Sequence, residues 1–284
     1  MTNLVKTEFA IAGLIFITLL IFWFLWLMEE RQLRRIGQSL AAQSSQEVFS
    51  EAMIADLPIP AQRYLRHAIQ VGTPLASSLS LKFTGNTQFG AKSKLWPLKG
   101  TEILITPQRG FLWKETLQTG LLTQNGLLYY ANGKGRVRWN FFELIPDPAK
   151  SGGGTNDAAK AMLGRFITKY IWTPFAFLPQ QGAVWEAIDD EHAKVTVSVD
   201  GTPVTITLTI DAEGRLQESV SLRWGAKTED GSFAYFPYGI KVEEEKTFDG
   251  YTIPSRLSAA WCYGDVNREP PLVFHYAIEK AHFS

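Results

Sequence analysis

The stretch VTVSVDGTPVTITLTI, Val195 to Ile210, determines the fold class of this chain. Valine alternates with polar residues before the Asp200-Gly201 pair, and after it Ile206, Leu208 and Ile210 alternate with threonine. Alternation with a period of two is typical of a strand with one buried face, and Asp-Gly is a preferred sequence for a two-residue hairpin turn. The stretch therefore predicts an antiparallel β-hairpin.

The same pattern recurs outward from this hairpin. Two further segments with apolar residues at every second position contain Leu79, Leu81 and Phe83, and Val220, Leu222 and Trp224. Turn dipeptides separate such segments at Asn132-Gly133, Glu213-Gly214 and Asp249-Gly250. Short strands joined by tight turns predict a mainly-β fold, a curled antiparallel sheet in the form of an open half-barrel or sandwich, with a few packed helices.

One helix interrupts the predicted strands. The glycine-rich segment SGGGT, residues 151–155, predicts a loop, and Asn156 or Asp157 can cap the helix that follows. The pattern predicts this inserted helix near residues 157–170, where it can pack over one face of the sheet. We expect the β-rich globular domain to span residues 55–284.

The N-terminal segment FAIAGLIFITLLIFWFLWLM, Phe9 to Met28, contains no ionisable residue. Its length as a helix, about 30 Å, matches the hydrocarbon core of a bilayer. A cleaved signal peptide is disfavoured, because the apolar run is long and no small-x-small site follows it closely. Residues 1–28 thus predict a tail and a single transmembrane helix, followed by a juxtamembrane helix or linker over residues 29–54. The charges flanking the span leave the side of the globular domain open.

Composition excludes several functions. Lys plus Arg equals Asp plus Glu at 28 each, so no net field favours nucleic acid. The chain has one cysteine and cannot form an internal disulfide, and its four histidines form no chelating pair. We find no G-x-S-x-G elbow and no phosphate-binding loop. The sequence therefore predicts no metal site, no cofactor and no catalytic residue.

The aromatic content, with 18 Phe, 9 Tyr and 9 Trp, favours a domain that binds a hydrophobic or lipid ligand between sheet and helices. The alternative for the rings is that they fill a closed core. Glu186 supports a second hypothesis, a hydrolase of envelope lipid or glycan in which Arg165 orients this carboxylate. An interaction scaffold is a third. The candidate ligand-binding residues are Trp113, Trp139, Arg165, Trp172, Phe175, Phe177, Trp185, Glu186 and Trp261.

Four segments carry a family resemblance: LPIPAQRYLRHAI from Leu57, TPQRGFLWK from Thr106, WTPFAFLPQQGAVWEAID from Trp172 and IPSRLSAAW from Ile253. Together they resemble a bacterial family known only as a domain of unknown function. The resemblance implies an N-terminal membrane segment in the bacterial inner membrane, and it implies no activity. Relatives carry the pattern R-x-x-x-E-x-x-W, whereas here Thr168, Lys169, Tyr170 and Ile171 follow Arg165. The expected architecture is loosely similar to lipoprotein carriers of the LolA type.

Overall fold

A computed structural model describes residues 47–88, 94–106, 110–142, 145–147, 151–226, 231–265 and 273–284, together with scattered positions between 8 and 31. The folded part begins before the predicted boundary at residue 55. Val48 forms a bridge to Pro74, and Phe49 and Ile54 are fully buried in the core. The segment from residue 47 onward is therefore part of the globular domain and not of the predicted linker.

The described β-strands form one antiparallel sheet of 14 strands. In chain order they are β1 (Ser78–Gln88), β2 (Trp96–Ile105), β3 (Gly110–Thr119), β4 (Leu122–Ala131), β5 (Lys134–Phe141), β6 (Ile145–Pro146), β7 (Gly152–Gly153), β8 (Val184–Ala187), β9 (His192–Val199), β10 (Thr202–Ile210), β11 (Leu216–Ala226), β12 (Phe233–Phe248), β13 (Tyr251–Trp261) and β14 (Val273–Phe283).

Two meanders build this sheet. The strand order is β6-β5-β4-β3-β2-β1-β14-β13-β12-β11-β10-β9-β8, with β7 also paired to β5, and the sheet is not closed. It nevertheless curls strongly, as a contact between strands far apart in this order shows. The Tyr130 hydroxyl on β4 donates a hydrogen bond to Asp200 at the β9–β10 turn at 2.6 Å. Asp200 and Gly201 both have positive φ, as the predicted Asp-Gly turn requires. The predicted mainly-β, open antiparallel sheet is confirmed, as a single sheet and not a two-sheet sandwich.

Helices pack against the concave face. They are α1 (Ile59–Ala68), α2 (Asn156–Thr168) and short 3₁₀ helices at Glu51–Met53, Lys169–Trp172, Pro174–Phe177 and Pro179–Gln181. The predicted inserted helix is α2, and its cap is Thr155, whose Oγ1 accepts a hydrogen bond from the Ala158 N–H at 3.1 Å. A Cβ on Gly135 of β5 would lie 2.3 Å from the Ala158 carbonyl oxygen, so only glycine allows α2 to lie this close to the sheet.

In β11 the polar row points inward and the apolar row outward, the reverse of β9 and β10. Ser219, Ser221 and Arg223 are buried, whereas Leu222 is 57% exposed and Trp224 is half-buried. The strand predicted from Val220, Leu222 and Trp224 is confirmed as β11, and this apolar row is its outward one. The interior beside β11 is polar, and it is this polar surface that carries the candidate site.

The predicted transmembrane segment, Phe9 to Met28, is described only at scattered positions, and its other residues lie outside the described part of the chain. The positions that are described there are helical, and most of the large apolar side chains among them, including Phe9, Leu14 and Trp23, are more than half exposed. Within the residues that the structure describes, no helix combines the length and apolar character needed to cross a bilayer.

Candidate functional site

A group of charged side chains lies inside the curled sheet. We call it the interior charged cluster: Glu102 on β2, Glu115 on β3, Arg165 on α2, Lys169 on the following 3₁₀ helix, and Arg223 on β11. All except Arg165 are buried, and Arg165 is partly accessible although its Nε is buried. Charged residues are almost never found inside proteins without partners, so each of these positions requires a physical explanation.

The burial of Lys169 is explained by its pairing with Glu102. Its Nζ donates a hydrogen bond to Oε2 of Glu102 at 2.8 Å and lies 2.7 Å from Oε1, without the angle of a hydrogen bond to that second oxygen. The ammonium also lies 3.5 Å from the centre of the Trp113 ring. Burial raises the pKa of Glu102 to about 7 and lowers the pKa of Lys169 to about 7, and the attraction between the two groups opposes both changes.

Arg223 has no such carboxylate partner among the described residues. Its guanidinium carbon lies 4.2 Å from the ring centre of Tyr238 and 4.7 Å from that of Trp261, and its Nε has no hydrogen-bond partner. Burial, with a smaller contribution from the positive charge of Arg165, lowers the pKa of Arg223 to about 10, and Tyr238, which accepts a hydrogen bond from the guanidinium, opposes this change. The guanidinium is therefore held by aromatic rings and is poorly compensated electrostatically.

Arg165 faces the same interior. Its guanidinium carbon lies 5.0 Å from the Trp113 ring centre, and its Nε has no hydrogen-bond partner in the described part of the chain. Burial acts to lower the pKa of Arg165, but Tyr276 first and then Glu115 outweigh it, so the pKa is raised. No described carboxylate forms an ion pair with this residue either, so its compensation comes from charges at longer range.

The cluster carries an excess of positive charge. Three cationic and two anionic side chains leave a formal charge of one positive, and the Lys169–Glu102 pair is neutral within itself. Other buried polar atoms on this face also lack partners among the described residues, namely Trp113 Nε1 and Ser221 Oγ. Leaving such groups unpaired costs about 1–3 kcal/mol each, and more when the group is charged. The arrangement can therefore bind an anionic or hydrogen-bond-accepting group.

Comparison with known families assigns the chain. The sequence profile of a family of unknown function, DUF6544, matches residues 47–269, which is most of the globular part. The chain belongs to DUF6544. This membership confirms the predicted resemblance to a family of unknown function, and it brings no activity with it. No protein among the curated sequences matches the chain.

Solved structures similar to this DUF6544 chain are distant. One is a DUF1329 family protein from Desulfovibrio piger ATCC 29098, with 10% identity and a TM-score of 0.35 over 74% of this chain and 86% of that one. Another is a β-barrel-like protein of DUF1849 from Brucella abortus, with 12% identity and a TM-score of 0.31 over 75% of this chain and 99% of that one.

The structure divides the predicted site residues of this DUF6544 protein into two groups. Trp113, Arg165 and Trp261 contact the interior charged cluster or belong to it. Trp139 is half-buried on β5, and its ring lies against Gly126 of β4.

The remaining predicted rings fill a closed part of the core. Trp172 Nε1 donates to the Pro254 carbonyl at 3.0 Å, and Trp185 Nε1 donates to the Phe177 carbonyl at 2.8 Å. Phe175 and Phe177 are fully buried. Because both indole N–H groups are already paired and the two phenyl rings carry no polar atom, these rings stabilise the domain and offer no unpaired donor to a ligand.

Glu186 does not join the site. It is exposed, on the outward face of β8, whereas its neighbour Trp185 points into the core. The predicted ion pair between Glu186 and Arg165 is wrong, since successive strand residues point to opposite faces and only Trp185 has the inward position. Within the described ranges no group of His, Cys, Asp and Glu could hold a metal ion.

Sequence reasoning missed most of the charged cluster. Glu115 continues a buried row with Phe111, Trp113 and Leu117, and Glu102 lies between Leu98 and Leu104 on the buried face of β2. These period-two rows are the sequence signal that could have placed the two carboxylates in the interior. Lys169 occupies the position at which the R-x-x-x-E-x-x-W pattern has its glutamate, and here it pairs with Glu102.

Proposed function

We propose that this DUF6544 chain is a membrane-tethered binding protein that holds a hydrophobic ligand, such as a lipid, inside the curled sheet. One observation carries the proposal: Trp113, Arg165, Ser221 and Arg223 each present a polar atom that is buried and without a partner among the described residues. Two of these atoms belong to guanidinium groups, and each unpaired atom costs free energy that an apolar side chain of similar volume avoids. A bound ligand supplies the missing partners.

Aromatic rings around the cluster provide the apolar surface that such a ligand needs. Phe83 and Trp113 lie 4.2 Å apart between ring centres, and Tyr276 lies 5.6 Å from each of them. On the other side, Tyr238 and Trp261 lie 5.4 Å apart. Pockets for small molecules are typically lined by apolar and aromatic side chains with a few placed polar groups, and the side chains around the cluster have that composition.

The N-terminal segment supports the tether. Its described positions are helical and their large apolar side chains are exposed to solvent, which is unfavourable in water and favourable in a bilayer. A domain held at a membrane surface has direct access to lipids and other hydrophobic compounds. Glu186 faces away from the cluster, so the hydrolase hypothesis has no supporting geometry.

Native mass spectrometry of the full chain after mild detergent extraction tests the proposal. We expect a fraction of the protein to carry an additional mass in the lipid range, and we expect organic extraction to release that compound. A single species with the mass of the chain alone, from several extraction conditions, would contradict ligand binding. Alkaline carbonate treatment tests the tether separately, because a transmembrane protein remains with the membrane pellet whereas a peripheral protein is released.

A further inference from the structure

We infer that Arg165 and Arg223 together bind an anionic group, a carboxylate or a phosphate, that forms one end of the ligand. This inference rests on the proposed function and specifies the chemical class of the ligand. Guanidinium groups present planar, fork-shaped sets of N–H donors that match the oxygen atoms of carboxylates and phosphates. Two of them on one buried face define an anion subsite at the centre of the candidate site.

The two arginines are adjacent in the fold. Arg165 follows Gly164 on α2, and a Cβ on Gly164 would lie 3.4 Å from Cγ of Arg223. Both guanidinium groups lie within electrostatic range of the same two residues, Tyr238 and Tyr276. The helix thus brings Arg165 to the inward face of β11, where Arg223 lies, and one ligand group can contact both side chains.

Lys169 differs from Arg223 in having a carboxylate partner. It lies in the same interior, but Glu102 already neutralises it at hydrogen-bond distance. If the cluster served folding alone, we would expect the same arrangement at Arg223, which is 5% exposed. Instead, aromatic rings contact Arg223, and no described carboxylate pairs with it. Lys169 is therefore neutralised by a carboxylate, whereas Arg223 has Tyr238 as its polar neighbour and keeps an Nε donor without a partner among the described residues.

The ring contacts are compatible with a buried guanidinium whose Nε donor is not used within the described part of the chain. Stacking on an aromatic ring covers the face of the guanidinium plane, whereas the N–H groups lie in that plane and point outward. Repulsion between Arg165 and Arg223 is relieved when an anion lies between them. Tyr276 can add a further donor, since burial keeps the pKa of its hydroxyl well above the usual range and the hydroxyl is neutral at physiological pH.

Binding of a homologous series of probes to the full chain in a non-ionic detergent at pH 8 tests this subsite. The probes are oleate, oleyl phosphate and oleyl alcohol, with acetate and inorganic phosphate as short anions, and tryptophan fluorescence is the readout. We expect oleate or oleyl phosphate to bind at least about tenfold more tightly than oleyl alcohol, because each charge-assisted hydrogen bond contributes that order of affinity. Arg165→Met and Arg223→Met should each lower anion affinity by about tenfold to a hundredfold and leave oleyl alcohol binding unchanged.

Arg256→Met is the matched control, since Arg256 is a half-exposed arginine that pairs with Glu244 on the surface. Arg165→Lys and Arg223→Lys keep the positive charge and the fold but lose the fork-shaped set of N–H donors, so they should lower anion affinity by less than the Met variants. If a Met variant does not fold, these Lys variants test the anion subsite in its place. Equal binding of all three oleyl probes, unaffected by the variants, would overturn the anion subsite and keep the proposed hydrophobic ligand.

Two other outcomes separate the sources of the anion. If inorganic phosphate or acetate binds and the oleyl probes do not, the subsite stands as a site for a small anion and the proposed lipid-like ligand falls. If no probe binds to the wild-type protein, both the proposed function and the subsite are overturned.

Discussion

Replacing Arg223 by methionine should stabilise the ligand-free protein, although it removes a buried side chain with two aromatic contacts. The fall in the pKa of Arg223 from its ordinary value to about 10 corresponds to roughly 3 kcal/mol against the charged form in the folded state. That penalty is complete below pH 10, where the arginine is charged in both the folded and the unfolded chain, and it is therefore present in full at neutral pH.

The ring contacts of Arg223 offset part of this gain. Losing the contacts with Tyr238 and Trp261 costs about 2 kcal/mol, and a methionine sulfur beside the same rings recovers about 1 kcal/mol. The net expectation is a stabilisation of about 1–2 kcal/mol, which corresponds to a rise in Tm of about 2–8 °C for a domain of this size. A functional group that destabilises its own fold is a familiar consequence of selection for binding.

Thermal unfolding of delipidated protein in detergent, followed by circular dichroism, measures this difference. Arg256→Met, on the surface, should change stability by less than about 0.5 kcal/mol and serves as the control. A loss of about 2 kcal/mol or more in Arg223→Met would show that the guanidinium has a structural role, and the reasoning about an uncompensated charge would then be refuted.

Further variants test the other elements of the account. Lys169→Met should destabilise the fold by about 3–5 kcal/mol because it leaves Glu102 buried without its partner, and the double variant with Glu102→Met should recover most of that loss. In Lys169→Met the pKa of Glu102 lies even further above its value of 4.5 in the unfolded chain, so denaturant titrations should show the highest stability below about pH 4.5 and a decline as the pH rises from there through 7. Glu186→Gln should leave both stability and ligand binding unchanged, and any loss of binding would restore the hydrolase hypothesis. Gly135→Ala should cost about 1–3 kcal/mol by pushing α2 off the sheet, whereas Gly152→Ala, which meets no atom within 4 Å, should be neutral in the same unfolding assay.

The sheet could be predicted from sequence because the patterns that specify its strands and turns are local. The hairpin at Asp200-Gly201 needs only alternation and a turn dipeptide, and both are visible within 16 residues. The inserted helix could be predicted for the same reason, from the glycine-rich loop and the polar cap before it. Strand order depends on contacts between residues far apart in sequence, such as Tyr130 with Asp200, which leave no local pattern.

The candidate site could be predicted only in part, because a period of two identifies which residues share a face and not which face is buried. In β11 the apolar row is the outward one, and Arg223 occupies the inward row with two serines. The burial of Glu102 could not be predicted for a related reason: a carboxylate in a strand is expected to face water unless a cation from elsewhere pairs with it. That cation, Lys169, comes from a different element 67 positions along the chain.

Photo-crosslinking of the full chain with a diazirine-bearing fatty acid tests the central claim, that a ligand with an anionic end enters the curled sheet. Peptide mapping should find the label on inward residues around the cluster, on peptides that contain Trp113, Tyr238 or Trp261, and Arg223→Met should greatly reduce that label. Label confined to residues 9–28 or to the outer face of the sheet, with no effect of Arg223→Met, would contradict an interior binding site.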